Sequence, residues 1–144
     1  GLLVLYRHTP VGNGYHIDES VAFMERLVQA GVDILDISPS SDQAPGDRAA
    51  PFTGLGVPVI AVNHMDEVER AVEARVEGRA DLIAIGRGLI ADPEWPNKVR
   101  DGRIDEVVHC ERCNEGCFGH LKKGIPVTCV EWPAPDGAVV PATA

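Results

Sequence analysis

No cysteine occurs in the first 109 residues of this chain, and the four it has fall between positions 110 and 129. A disulfide framework spread through the fold is thereby excluded, and the absence of a signal-peptide pattern argues the same way. No apolar run approaches the roughly 20 residues of a membrane-spanning helix, so the expectation is a soluble, cytoplasmic protein without a membrane partner. Basic residues are in deficit, with 13 Lys and Arg against 22 Asp and Glu and a formal net charge of -9. A phosphate backbone demands a basic face, so nucleic acid is not an expected partner. The dinucleotide fingerprint G-x-G-x-x-G is also missing, because Gly12-Asn-Gly14 is followed by Tyr15, His16 and Ile17 and not by a third glycine.

A chain of 144 residues with 44% hydrophobic residues can bury one core. A complete (β/α)8 barrel, at about 250 residues, would not fit. The apolar pattern alternates strand with helix. Leu2 to Tyr6 reads as a strand buried on both faces, followed by a loop through Gly14. Asp18 is the expected cap of a helix with Val21, Met24, Leu27 and Val28 inward, closed by Gly31. Asp33–Ile37, Pro58–Val62 and Leu82–Ile85 read as further strands. A second helix is expected over Asp66–Glu77, with Val68, Ala71, Val72 and Val76 inward and Gly78 at its end. Ser38 to Gly56 is polar, rich in Pro and Gly, and reads as a long loop. Continuous apolar strands separated by helices predict an α/β fold with a parallel sheet, and a piece of a barrel is preferred to a Rossmann-type sheet.

Cys110-x2-Cys113-x3-Cys117, then Cys129 after eleven residues, is a metal-site spacing. Thiolates suit iron-sulfur clusters, Zn2+ and Cu(I) alike. A structural zinc site usually pairs two C-x2-C knuckles, whereas here the fourth cysteine stands alone, which favours a cluster and leaves zinc as the competitor. Upstream, Ile85-Gly86-Arg87-Gly88 leaves a strand through a glycine turn, where amides and a guanidinium could meet a phosphate. Asn63 ends the preceding strand in the same way.

Ala80-Asp-Leu-Ile-Ala-Ile-Gly-Arg-Gly-Leu-Ile-Ala-Asp-Pro-Glu-Trp-Pro-Asn-Lys98, followed by the cysteine array, resembles the old yellow enzyme superfamily. The likeness is closest to its iron-sulfur branch of 2,4-dienoyl-CoA reductase and trimethylamine dehydrogenase. That resemblance implies strands 5–8, the second half, of a (β/α)8 barrel over residues 1–108 and a [4Fe-4S]-binding segment over 109–130, while the Pro- and Ala-rich composition of 131–144 reads as a linker or tail. It implies an FMN-dependent oxidoreductase that reduces an activated C=C bond or oxidatively demethylates an amine. Arg7 would face the flavin, Asn63, Gly86 and Arg87 would hold its phosphate, and Cys110, Cys113, Cys117 and Cys129 would bind the cluster. Further implied partners are a small-molecule substrate, the other half of the barrel from the same gene, another subunit or a second copy, and an electron donor or acceptor carrying FAD or NAD(P)H. The alternatives are an iron-sulfur electron-transfer or assembly module without catalysis of its own, and a zinc-stabilised domain.

The chain departs from the pattern of this superfamily in two places. Pro51–Gly56 is too short and glycine-rich for the usual helix 6, and the proton-donating histidine has no counterpart, although Asp42 falls near its position. Asp42 and Asp47 read as turn residues. His16, His64 and His109 read as surface or capping residues, and Trp95 and Trp132 as packing residues.

Overall fold

The strand-helix alternation becomes a four-stranded parallel sheet in the computed structural model, which describes residues 1–40 and 48–133. Strands β1 (Leu5–His8), β2 (Ile34–Ile37), β3 (Val59–Ala61) and β4 (Leu82–Ile83) pair in sequential order. A doubly wound sheet reverses its strand order at a switch point, whereas consecutive barrel strands keep chain order as seen here. Helix α1 (Ile17–Gln29) crosses from β1 to β2, and α2 (Val68–Val76) crosses from β3 to β4. The chain divides into two compact units at Ile85/Gly86. Asp42 and Asp47 lie outside the described residues, as does the tail beyond residue 133.

In the first unit, period-two alternation sends Tyr6, Leu35, Ile37, Val59, Ala61 and Ile83 to the helix-covered face. Met24, Leu35, Ile37, Phe52 and Val59 are all 0% exposed there. The opposite face carries Leu5, Ile34, Ile60 and Leu82, and Leu5 and Leu82 stay 49% and 48% exposed. The expectation of a first strand buried on both faces is therefore corrected. Pairing starts at Leu5 because β2 offers partners only from Ile34, and Leu2 and Leu3 before it are exposed.

Two helix readings also change. The N-cap of α1 is His16, whose N–H donates to the Glu19 carboxylate at 2.8 Å, while Asp18 sits within the first turn and complements the helix dipole. Helix α2 buries Val68, Ala71 and Ala74 and leaves Val72 and Val76 outside, because the buried stripe, spaced at about one helical turn, runs through 68, 71 and 74. Ala50–Leu55 forms a 3-10 turn with Pro51 at its start, and its Phe52 plugs the core over α1. Truncating such a ring to Ala costs about 3–5 kcal/mol.

His8, half buried at the end of β1, sits among Tyr6, Tyr15, Phe23 and Phe52 at ring-centroid distances of 5.9–6.5 Å. Ser20 Oγ donates to the Pro10 carbonyl at 2.7 Å, so it accepts from His8 Nε2 at 3.0 Å, which puts the imidazole proton on Nε2. A second proton would charge a ring surrounded by aromatic faces, and burial holds the His8 pKa below its ordinary value. A depressed histidine leaves its stability contribution intact above the unfolded pKa of about 6.5, and the contribution is lost as pH falls through the folded value. Urea midpoints measured from pH 7.5 down to 5 should therefore decline more steeply for the native protein than for His8→Gln. Parallel declines would refute this assignment.

Candidate functional site

Parallel pairing brings the carboxyl ends of all four strands to one edge of the sheet. At that edge Arg7 stands beside its register partner Asp36, with Nη1 3.2 Å from Oδ2. Nη2 donates to Ser38 Oγ at 2.6 Å. The Asp36 side chain is only 11% exposed whereas that of Arg7 is 60% exposed, so a buried carboxylate anchors a cation that reaches into solvent. Asp36 Oδ1 is buried with no partner among the described residues, which leaves the pair held through one oxygen. Asn63 and His64, just past β3, both adopt left-handed backbone at φ 80° and 57°. Two consecutive non-glycine residues in that region mark a strained strand end. His64 Nδ1 lies 3.1 Å from the Glu67 carboxylate.

The second unit opens with the expected Gly86 turn into α3 (Arg87–Ala91), followed by α4 (Trp95–Arg100). Asp92, 3% exposed between them, takes hydrogen bonds from Lys98 Nζ at 2.7 Å, Val108 N–H at 2.9 Å and Glu94 N–H at 3.0 Å. Burial pushes the Asp92 pKa up, but the Lys98 hydrogen bond and charge and the two backbone N–H donors outweigh it and hold the carboxyl below its ordinary value. Lys98 also donates to the Glu106 carbonyl at 2.8 Å. This clamp explains the Asp-Pro-x-Trp-Pro-x-Lys pattern: α4 returns the lysine to the aspartate, and the aspartate fixes the chain two residues before Cys110.

Beyond the clamp, the backbone is bent to gather thiols. Arg112 and Asn114, on either side of Cys113, are left-handed at φ 57° and 64°. Glu115–Gly119 then forms a π turn, with Gly119 N–H donating to the Asn114 carbonyl at 2.8 Å, and α5 (His120–Lys123) follows. π turns are rare and recur at functional sites. Cys129 comes back through three contacts. Thr128 N–H donates to the Gly116 carbonyl at 2.8 Å, His120 Nδ1 to the Pro126 carbonyl at 2.9 Å, and Trp132 Nε1 to the Ile90 carbonyl at 2.6 Å. The first of these requires glycine, since a Cβ at residue 116 would lie 2.7 Å from the Thr128 carbonyl oxygen.

All four cysteines line one cavity, together with Arg87 and Asn114. The thiols are free, with Cys113 exposed and the other three half-buried. Arg112 N–H donates to Cys110 Sγ at 3.4 Å. Arg87 Nη1 donates to Asn114 Oδ1 at 2.7 Å, and its guanidinium lies 6.0 Å from the Phe118 ring centroid. Among the described residues, no three His, Cys, Asp or Glu side chains form a group able to hold a metal ion. The structure thus brings Arg87 and the four cysteines together, and it places Arg7 and Asn63 on strand ends of the first unit. The Asp92–Lys98 clamp and the Gly116–Thr128 contact were not singled out in the sequence; the paired Asp92 and Lys98 six residues apart were the available signal. Gly116→Ala should cost about 1–3 kcal/mol of local packing. Hydrogen exchange at the Thr128 amide should quicken several-fold while far-UV circular dichroism stays native, and wild-type exchange there would contradict the role given to this contact.

Comparison with known proteins gives this geometry a context. Residues 51–106 match the NADH:flavin oxidoreductase / NADH oxidase family. The NADH oxidase of Thermoanaerobacter brockii is 36% identical over 124 residues, which cover 76% of this chain and 19% of that protein. The cinnamate reductase of Clostridium sporogenes is 41% identical over 80 residues, covering 56% of this chain and 12% of that protein. Among solved structures, a 2-naphthoyl-CoA reductase complex superposes with a TM-score of 0.75 at 25% identity, covering 91% of this chain and 22% of the other. The chain therefore spans about a fifth or less of these relatives. With the parallel sheet, the family match and the structural likeness in agreement, the chain belongs to the old yellow enzyme superfamily.

Proposed function

We propose that this chain forms the second half, strands 5–8, of a (β/α)8 barrel in an FMN- and [4Fe-4S]-dependent oxidoreductase, with the cluster relaying electrons to or from the flavin. The observation that carries the reading is the set of four free cysteines lining one cavity in a chain of this family. Four thiolates spaced around a cavity fit a cluster with one ligand per iron, whereas a structural zinc ion needs its donors gathered on a single point. When bound, FMN would supply hydride and electron transfer, and the cluster single-electron transfer.

The chain's own residues have separate tasks in this reading. In the first unit, Arg7 would offer a fixed cation to negative charge building on the flavin, oriented by Asp36 and Ser38, and Asn63 would contact the phosphate. In the second, Gly86 and Arg87 are the proposed phosphate contacts, and Cys110, Cys113, Cys117 and Cys129 the proposed cluster ligands. The sheet face bearing Leu5, Ile34, Ile60 and Leu82 would point into the barrel, where the other half of the barrel would cover it. That half would also supply most of the pocket for a small-molecule substrate. The reaction would be reduction of an activated C=C bond, as relatives named cinnamate reductase and 2-naphthoyl-CoA reductase suggest, or oxidative demethylation of an amine, as a relative named dimethylamine dehydrogenase, 31% identical over 74 residues, suggests. FAD or NAD(P)H would serve on a further domain or a partner.

Anaerobic purification of the full-length protein should give a brown flavoprotein with about four irons per chain. Cys129→Ser should lower the iron content and bleach the broad visible absorbance while leaving the fold. A colourless protein holding zinc would overturn the proposal.

A further inference from the structure

We infer that Arg87 is the electrostatic partner of the four-cysteine cavity, and that Asn114 holds it there to favour the more negative redox state of the bound centre. The inference rests on the cluster reading and extends it, since the resemblance assigns Arg87 only to a flavin phosphate.

Three observations within the second unit carry it. Among the described residues, Arg87 is the one positively charged residue lining the cavity, and Glu111 the one negatively charged residue lining it. Its Nη1 is fixed by a 2.7 Å hydrogen bond to Asn114 Oδ1, and Asn114 lies between Cys113 and Cys117 on the same loop. Phe118, one residue beyond Cys117, offers its ring 6.0 Å from the guanidinium carbon, at the range where a cation gains from an aromatic face. The cation is therefore tied at two points to the loop that carries three of the four thiols. Asn114 keeps a left-handed backbone at φ 64° to present its amide, a conformation that asparagine tolerates better than most residues.

The consequence follows from charge counting. Four thiolates concentrate negative charge around the cavity, and reduction adds one electron to it, delivered by reduced flavin or by an external donor. No bond to the protein forms or breaks, so the whole change is one unit of negative charge. A fixed cation at the wall stabilises the reduced state more than the oxidised one, and so raises the reduction potential. The planar guanidinium suits the task because its fork can bind Asn114 through one edge and leave its charge directed at the cavity.

Anaerobic potentiometric titration of the full-length, iron-loaded protein, followed by electron paramagnetic resonance of the reduced centre, tests this directly. Arg87→Gln should move the midpoint to more negative potential by about tenfold in the equilibrium constant, which for one electron is about 59 mV. Arg87→Lys should restore part of that shift. Asn114→Gly keeps the left-handed backbone and removes the acceptor, and it should shift the midpoint the same way by less, which provides a second reading if Arg87→Gln folds poorly. An unchanged midpoint in both Arg87→Gln and Asn114→Gly, with weakened FMN retention in the former, would make Arg87 a phosphate ligand only. That result overturns the inference and leaves the oxidoreductase reading standing, whereas zinc in place of iron in the native protein overturns both.

Discussion

A parallel strand cannot be joined to its successor by a tight turn, so each strand of this sheet must be reached by a crossover on one face. That constraint determines most of what the first unit is. Crossovers bury the face bearing Leu35, Ile37 and Val59 under Met24 and Phe52 and leave the other face open. They also send every strand's carboxyl end to one edge, where Arg7, Ser38 and Asn63 are found without any long-range search by the chain. The Arg7–Asp36 pair follows from register alone, since parallel β1 and β2 set residues 7 and 36 side by side. A cation anchored by a mostly buried carboxylate is held in place, and rigid placement is what a cofactor site requires.

Much of this was legible from the sequence. Apolar runs bounded by glycine marked β2, β3 and β4, and the periodicity of Val21, Met24 and Leu27 marked α1. The failures have physical causes. Val72 and Val76 were expected inward because they are apolar, yet angular position on the helix decides burial, and the smaller Ala71 and Ala74 occupy the buried stripe. Leu2 and Leu3 look like strand, but a strand exists only where a neighbour pairs, and β2 begins at Ile34. Phe52 went unnoticed in a glycine- and proline-rich stretch because composition does not reveal that one aromatic ring fills the gap above α1.

The candidate site divides in the same way. Cysteine spacing predicted four thiols placed for one metal site, and the structure shows four free thiols lining a common cavity. Spacing cannot say how eleven intervening residues return Cys129 to the others. The answer lies in a missing side chain at Gly116, together with the His120 and Trp132 hydrogen bonds, and these contacts are made by residues that no ligand pattern includes. Arg87 shows the opposite limit, because its place after a strand suggested one partner while its nearest polar contact is a residue of the cysteine loop.

The Asp92 carboxylate has a consequence for how the second unit opens. By holding Val108 N–H and Lys98 together, it seals the helical segment behind it from the loop ahead, and it does so with bonds that involve no thiol. The boundary of a cooperative unit falls where such bonds stop. The helical segment from Arg87 to Val108 is therefore tied independently of the loop from Cys110 onward, because its bonds do not pass through the cavity.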